Sequence, residues 1–251
     1  VNRRAIILMH AQGEGPGRLA GALTAHGYRL ELRRLHAGDA VPGALADGEL
    51  LVVMGGPMGV GDCGDPRHPF LARELGLLRQ AIAEDRPVLG ICLGAQLLAA
   101  AAGARVERNR YRGRPQREVG WAGVTFARAP AHAELDGLPA QAPMLHWHED
   151  AFALPPGAAL LAWSKRCPHQ AFRLDHSGRP GRQLGVQFHP EVDAATVARW
   201  ARADARFVLG ANGAGAVQRL LDENARQEAR SRAVAGRLIA NLIRCAAGGA
   251  A

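Results

Sequence analysis

Pro87-Val88-Leu89-Gly90-Ile91-Cys92-Leu93-Gly94-Ala95-Gln96 joins a strand to a helix with no room for a loop between them. Pro87 to Ile91 is a short uncharged run rich in branched side chains, the pattern of a buried strand, and the alanine-rich stretch after Cys92 reads as a helix to Ala102. The joint is a cysteine version of the G-x-S-x-G nucleophile elbow, with glycine two residues before and two after the cysteine. Those glycines are needed because so sharp a turn brings backbones close together, and the turn lifts the sulfur above the strand ends. The helix that follows aims its N-terminal amides at the sulfur and favours thiolate over thiol. Taken alone, Cys92 also fits a buried structural cysteine, since free cysteine is among the most buried residue types.

Outward from this joint, apolar runs alternate with helical patterns. Ala5 to Met9, Arg29 to Arg33 and Leu50 to Met54 read as strands, and Arg18 to His26 and Phe70 to Glu84 as helices, the latter amphipathic through Leu71, Leu75, Leu78 and Ile82. This alternation predicts an α/β fold with a mainly parallel sheet covered by helices. After Gly103 the pattern changes. Ala104 to Glu107, Val119 to Phe126, Met144 to His146, Ala159 to Trp163, Gln170 to Leu174 and Leu184 to Phe188 are strand-like pieces between turns, so antiparallel strands are expected to join the sheet. Helices are expected over Ala194 to Arg206 and Ala216 to Arg244. With no repeat and no linker, residues 1–251 read as one domain, its core over about 5–195 and its closing helices over about 194–246.

A nucleophilic cysteine needs a base, and Gln187-Phe188-His189-Pro190-Glu191 supplies a histidine just past a strand with a carboxylate two residues on. Glu191 can orient the imidazole and stabilise the imidazolium as the third member of a triad. Acyl transfer also needs donors for the developing oxyanion. Gly55-Gly56-Pro57 follows a strand that can lie beside the nucleophile strand, so the amides of Gly56 and Leu93 can form that hole, with Gly55 letting the backbone approach the substrate. In isolation Gly-Gly-Pro fits a plain turn equally well.

These three segments, in this order and at these separations, resemble the class I (triad) glutamine amidotransferases over about residues 5–195. Glu118-Val119-Gly120-Trp121, His146-Trp147-His148 and Gln170-Ala171-Phe172 further resemble the stand-alone branch similar to the glutaminase domain of GMP synthase. The resemblance implies a flavodoxin-like doubly wound sheet with the site at the carboxyl ends of its strands. It implies that Cys92 attacks the carboxamide of glutamine, His189 moves protons, Glu191 orients the imidazole, and water releases a γ-glutamyl thioester. It places Gln96 and the segment Trp147, His148, Glu149 and Asp150 against the substrate, and it requires no metal or organic cofactor. Two departures matter. The family usually has glycine at the position of Glu149, and no synthetase domain follows in this chain, which leaves the ammonia acceptor or partner enzyme unknown.

Composition bounds the rest. Of 251 residues 48% are hydrophobic and 22% charged, which is enough for a sizeable core and excludes a disordered or collagen-like chain. Arg3 and Arg4 before Ala5 to Met9 imitate a signal peptide, but the apolar run is too short and meets His10, Gln12 and Glu14, so a strand of a cytoplasmic, non-membrane protein is expected. The net charge of +8 raises nucleic acid as a partner. Lys165 is the one lysine, however, and the arginines are interleaved with acids, densest over Arg105 to Arg117, with no nucleic-acid-reading motif, so no specific nucleic-acid binding is expected. Cys63, Cys92, Cys167 and Cys245 lack disulfide-framework spacing, which suits a reducing compartment. His146, His148, Cys167 and His169 invite a zinc reading, but their i, i+2 spacings are not those of ordinary zinc sites and a hydrogen-bonded role near the site is expected instead. Cys63 reads as a bystander, and the helix from Ala216 as packing on its own domain. Beside the glutaminase, a γ-glutamyl peptidase using the same triad and a non-catalytic regulatory protein remain open.

Overall fold

The apolar runs Ala5 to Leu8, Leu50 to Val53 and Val88 to Ile91 form strands buried on both faces. The computed structural model describes residues 3–128 and 132–249. Strand β1 (Arg4–Met9) leads through a loop to helix α1 (Arg18–Ala25) and strand β2 (Arg29–Arg34). Strand β3 (Glu49–Val53) is buried throughout, helix α2 (Phe70–Ala83) follows, and strand β4 (Val88–Ile91) passes directly into helix α3 (Leu93–Ala101). The second half adds β5 (Val106–Arg108), β6 (Arg110–Tyr111), β7 (Arg114–Pro115), β8 (Glu118–Phe126), β9 (Gln141–His148) and β10 (Asp150–Phe152). Strands β11 (Ala159–Ser164), β12 (Ala171–His176) and β13 (Arg179–Val186) precede helices α4 (Ala194–Ala203), α5 (Ala205–Asn212) and α6 (Ala216–Ala246).

Nine strands form one sheet in the order β2-β1-β3-β4-β13-β12-β11-β8-β9. The first five are parallel, the flavodoxin-like doubly wound arrangement, and the last four extend it antiparallel. Side chains alternate between two cores. Ile7, Val52 and Ile91 meet α1 and α6, whereas Ile6, Leu51 and Val88 meet α2 and α3. Within the first core α6 buries Leu238, Ile239, Leu242 and Ile243, each worth roughly 1.5–3 kcal/mol of transfer from water. Edge strand β2 carries Arg29, Glu31, Arg33 and Arg34, charges that discourage a further strand from pairing there.

The antiparallel arm curls back on the parallel half. Leu145 of β9 bridges to His189, three residues beyond β13, and its carbonyl accepts the His189 amide at 2.9 Å. This closure carries the end of β9 to the tip of β4, where the elbow lies.

Several expected boundaries move. The single helix expected over Ala194 to Arg206 breaks at Asp204, whose backbone (φ −117°, ψ 44°) leaves the helical region, and a separate α5 follows. The strand expected over Ala104 to Glu107 lies at Val106–Arg108 and pairs with β10 outside the main sheet, and the one at Met144 to His146 extends over Gln141–His148. Hairpin β6–β7 turns on Arg112-Gly113, both at positive φ, the two-residue turn that matches strand twist.

Candidate active site

Cys92 is held in an unusual backbone conformation, φ 51° and ψ −105°, as the residue between β4 and α3. Its amide donates to Val186 of β13 at 2.8 Å, which fixes the turn to the neighbouring strand. The flanking glycines are required by close approach. A Cβ on Gly94 would stand 2.0 Å from the Val53 carbonyl oxygen, and one on Gly90 would stand 2.5 Å from that of Gly94. The elbow read from the sequence is therefore a packed junction of three backbones.

His189 and Glu191 arrive from the loop after β13. The His189 Nδ1–H donates to Glu191 Oε1 at 2.8 Å, and both side chains are 2% exposed. Nε2, the remaining ring nitrogen, is buried without a hydrogen-bond partner among the described residues. Burial alone would lower the imidazole pKa, but the Glu191 carboxylate and the Cys92 sulfur outweigh it and hold His189 well above its ordinary value. An imidazole oriented by a carboxylate and poised over a sulfur can take a proton from the thiol and return it to a leaving amine.

The Gly55-Gly56-Pro57 segment follows β3. A Cβ on Gly56 would stand 2.7 Å from His10 Cβ and 3.0 Å from Leu93 Cδ2, so only glycine brings this backbone to the start of α3. Leu93 is the first residue of that helix and its amide has no preceding turn to bond. Behind the segment lies a pair without an assigned role in the sequence. The His10 ring donates from Nδ1 to the Gly55 carbonyl at 2.9 Å and from Nε2 to Glu74 at 3.0 Å, with both side chains fully buried. Burial opposes the charge, but Glu74 and the Gly55 carbonyl prevail and raise the His10 pKa.

The Trp147 to Asp150 segment is drawn to the sulfur from the far edge of the sheet. The Trp147 carbonyl lies 3.8 Å from Cys92 Sγ, and Gln96 Nε2 donates to the Asp150 carbonyl at 3.1 Å. Gln187, quoted in the histidine motif without a role of its own, links these parts. Its amide nitrogen is 3.5 Å from Cys92 Sγ and its oxygen accepts from Gln96 at 3.2 Å. His148 borders the cavity, but its Nδ1–H donates to the Asp150 carbonyl at 2.9 Å and its Nε2 lies 3.2 Å from Glu118 Oε2. Glu149 sits at the cavity edge, its carboxylate bound by Arg108 and by Arg117, the latter at 2.8 Å. Arg108 also lies 3.5 Å from Asp150, so part of the basic stretch from Arg105 to Arg117 is spent on these acids.

The four residues of the zinc reading do not come together. Cys167 Sγ donates to the His169 carbonyl, and His169 Nδ1 to that of Phe152. Among the described residues the group close enough to share an ion is Glu118, His146 and His148, with ligand atoms within 4.8 Å of one another. Glu118 already accepts from Ser164 Oγ and Gln170 Nε2, both at 2.7 Å, and burial lowers His146 to about 4 and keeps it neutral. Gln170 Nε2 also lies 3.4 Å from His146 Nδ1, on the strand that carries Trp147.

A cavity of about 230 Å³ opens over the sulfur. Gly56, Cys92, Leu93, Gln96, His189 and the Trp147 to Asp150 segment line it, whereas Gly55 and Glu191 stand behind it. Glu14, Met58, Trp200, Asp204 and Phe207 also line it, and the sequence offered no motif for them. No helix among the described residues is long and apolar enough to cross a membrane.

The chain is similar to known proteins along most of its length. The family model for glutamine amidotransferase class-I matches residues 18–199. The chain is 32% identical over 196 residues to the glutamine amidotransferase-like protein YfeJ of Salmonella typhimurium, covering 77% of this chain and 78% of that protein. It is 38% identical over 143 residues to the glutamine-hydrolysing GMP synthase of Thermomicrobium roseum, covering 57% of this chain but only 23% of the synthase. Two solved structures align along almost the whole chain. A glutamine amidotransferase of Methylobacillus flagellatus is 27% identical with a TM-score of 0.83, covering 98% of this chain and 96% of that one. One of Thermotoga maritima is 26% identical with a TM-score of 0.80, covering 98% and 99%.

Proposed function

The chain belongs to the class-I glutamine amidotransferase family, and from that premise we propose that it hydrolyses a γ-glutamyl amide through a cysteine thioester, with glutamine as the reference substrate. Cys92 is the nucleophile, His189 the general base and acid, and Glu191 the orienting carboxylate. The observation that carries this reading is the buried His189 ring, fixed by Glu191 at 2.8 Å with its other nitrogen left free beside the elbow sulfur.

The Cys92 sulfur, its proton passed to His189, attacks the γ-carbonyl carbon. The carbonyl electrons move to oxygen, and the amides of Gly56 and Leu93 receive the negative charge. When the tetrahedral intermediate collapses, the C–N bond breaks and His189 gives its proton to the departing nitrogen. A water molecule, deprotonated by His189, then attacks the thioester. Its C–S bond breaks, the sulfur regains its proton from the imidazolium, and glutamate leaves. With glutamine the other product is ammonia. Gln96 and the Trp147 to Asp150 segment hold the γ-glutamyl group, the segment being braced by Glu118 through His148.

Glutamate release from glutamine and other γ-glutamyl amides, compared in wild type and Cys92→Ala, tests the reading. The substitution is expected to lower turnover by about 10⁴-fold or more, as loss of a nucleophile does in a catalytic unit. Unchanged turnover would remove Cys92 from the mechanism.

A further inference from the structure

Glu14 lies in the loop between β1 and α1 and lines the cavity, yet the thioester mechanism gives it no part. The bare face of Gly55 shows where it stands. A Cβ on Gly55 would meet Glu14 Oε2 at 3.0 Å, His189 Cε1 at 3.3 Å and Cys92 Cβ at 3.7 Å, so this carboxylate, the base and the nucleophile converge on one point. Glu14 therefore faces the Cε1 edge of the ring, between Nδ1, which is taken by Glu191, and Nε2, which serves the sulfur.

Contacts on both sides of Glu14 fix this placement. Trp200 stands edge-on to His189, with ring centroids 5.1 Å apart, and its indole N–H donates to the carbonyl of Gly13 at 3.1 Å. A Cβ on Gly17 would stand 2.2 Å from the Glu191 carbonyl oxygen, and that oxygen accepts from the Arg18 amide at 2.8 Å. The Arg18 guanidinium also donates to the Val192 carbonyl. Residues before and after Glu14 are thus tied to the neighbours of His189, which keeps the carboxylate in register with the ring.

The titratable groups around His189 come from four places: Glu191 from its own loop, Cys92 from the elbow, His146 from β9 and Glu14 from the β1–α1 loop. Glu14 in turn feels His189, then His10, with Glu191 and Asp204 as like charges; burial raises its pKa, and the two histidines oppose the rise without prevailing. His10 already has the Gly55 carbonyl and Glu74 as partners. A carboxylate beside an imidazolium in a partly buried site favours the charged ring. Glu191 acts through a hydrogen bond as well as through charge. Glu14 acts through charge, because Cε1 offers only a weak C–H donor.

We propose that Glu14 is a second positioning carboxylate for the base. Set against the Cε1 edge of His189, it stabilises the imidazolium that forms when the thiol gives up its proton and that lasts until the leaving nitrogen takes it. The inference rests on the thioester reading and adds a fourth residue to Cys92, His189 and Glu191. Its effect is on the ring itself and is present before any substrate binds.

The test follows the His189 Cε1–H resonance by NMR across a pH series in the free enzyme, assigned as the signal missing from His189→Gln, beside kcat/KM for glutamine over the same range. In Glu14→Gln the midpoint of that resonance is expected about one pH unit lower, with the alkaline limb of kcat/KM moving with it and the optimal kcat/KM down about tenfold. The His10 resonance should move less, since Glu74 holds that ring. Glu14→Asp keeps the charge and should stay closer to wild type than Glu14→Gln. If Glu14→Gln fails to fold, Glu14→Ala gives the same reading. An unmoved His189 midpoint in the folded variant would overturn the proposal whether or not turnover fell, because Glu14 would then be acting on substrate or on folding and not through the base; the thioester reading would stand. Wild-type turnover in Cys92→Ala would remove that reading, and this proposal with it, whatever the midpoint did.

Discussion

His189 is held by two opposite influences, and the balance has a measurable pH signature. Burial favours the neutral ring, while the Glu191 carboxylate and the Cys92 sulfur favour the imidazolium and win, so the proton persists above the ordinary histidine range. The proposed step needs that proton for the leaving nitrogen, so activity falls on the alkaline side as His189 loses it. Glu191→Gln removes the largest influence raising the pKa and keeps the shape of the side chain. We expect the alkaline limb of kcat/KM to move toward lower pH in this variant, with more residual activity than His189→Ala retains. An unmoved limb measured across the same pH series would mean that another group carries the proton. The other cysteines differ from Cys92 in surroundings. Burial pushes the Cys167 thiol up to about 12 and Cys245 to about 11, and Cys63 is raised by burial and the nearby Glu74. None of these thiols is set up to ionise.

At the scale of elements, the site is assembled from loops that packing holds in place. The Gly55-Gly56 segment after β3, the proposed oxyanion segment, is braced through His10 on the Gly55 carbonyl and Glu74 of α2 on His10. Neither touches the reacting atoms, so both are positioning residues. Glu74→Gln and His10→Phe are expected to lower kcat by about ten- to a hundredfold with KM changed much less, below the cost of losing an oxyanion donor itself. Equal losses in kcat and in thermal stability, without the kcat-against-KM split, would reduce the pair to a structural one. The same elements show why some of the site was legible and some was not. The elbow was readable because strand, turn and helix are contiguous, and Gly90 and Gly94 mark contacts that no side chain tolerates. The His189–Glu191 hydrogen bond was readable because the two residues sit two apart just past a strand end. Glu14 was not. Its loop reaches His189 because Gly17 lets the backbone approach the Glu191 carbonyl, which accepts from Arg18 at 2.8 Å, a contact between distant parts of the chain. The break at Asp204 was hidden as well, because Asp204-Ala205-Arg206 contains neither glycine nor proline and continues a helical pattern. That break sets Phe207 and Asp204 on the cavity wall.

Across the whole molecule, the sheet, α6 and the curled antiparallel arm share side chains. The core that holds Ile7, Val52 and Ile91 also holds Phe126, Met144 and Leu242, so the parallel half, the antiparallel half and the last helix contribute to one apolar cluster. We propose that the chain unfolds as one cooperative unit, and expect far-UV circular dichroism and tryptophan fluorescence to report the same midpoint. Two separated transitions would divide the molecule at the arm. Leu242→Ala, at the sheet face of α6, should lower the stability of that unit by about 2–5 kcal/mol. The central claim, that this fold activates one cysteine of four, is tested most directly by intact-protein mass spectrometry with a glutamine-analogue diazoketone followed by peptide mapping. The account predicts a single adduct on Cys92, absent in Cys92→Ala and blocked by a γ-glutamyl substrate. Labelling of Cys63, Cys167 or Cys245, or an undiminished adduct in Cys92→Ala, would contradict it.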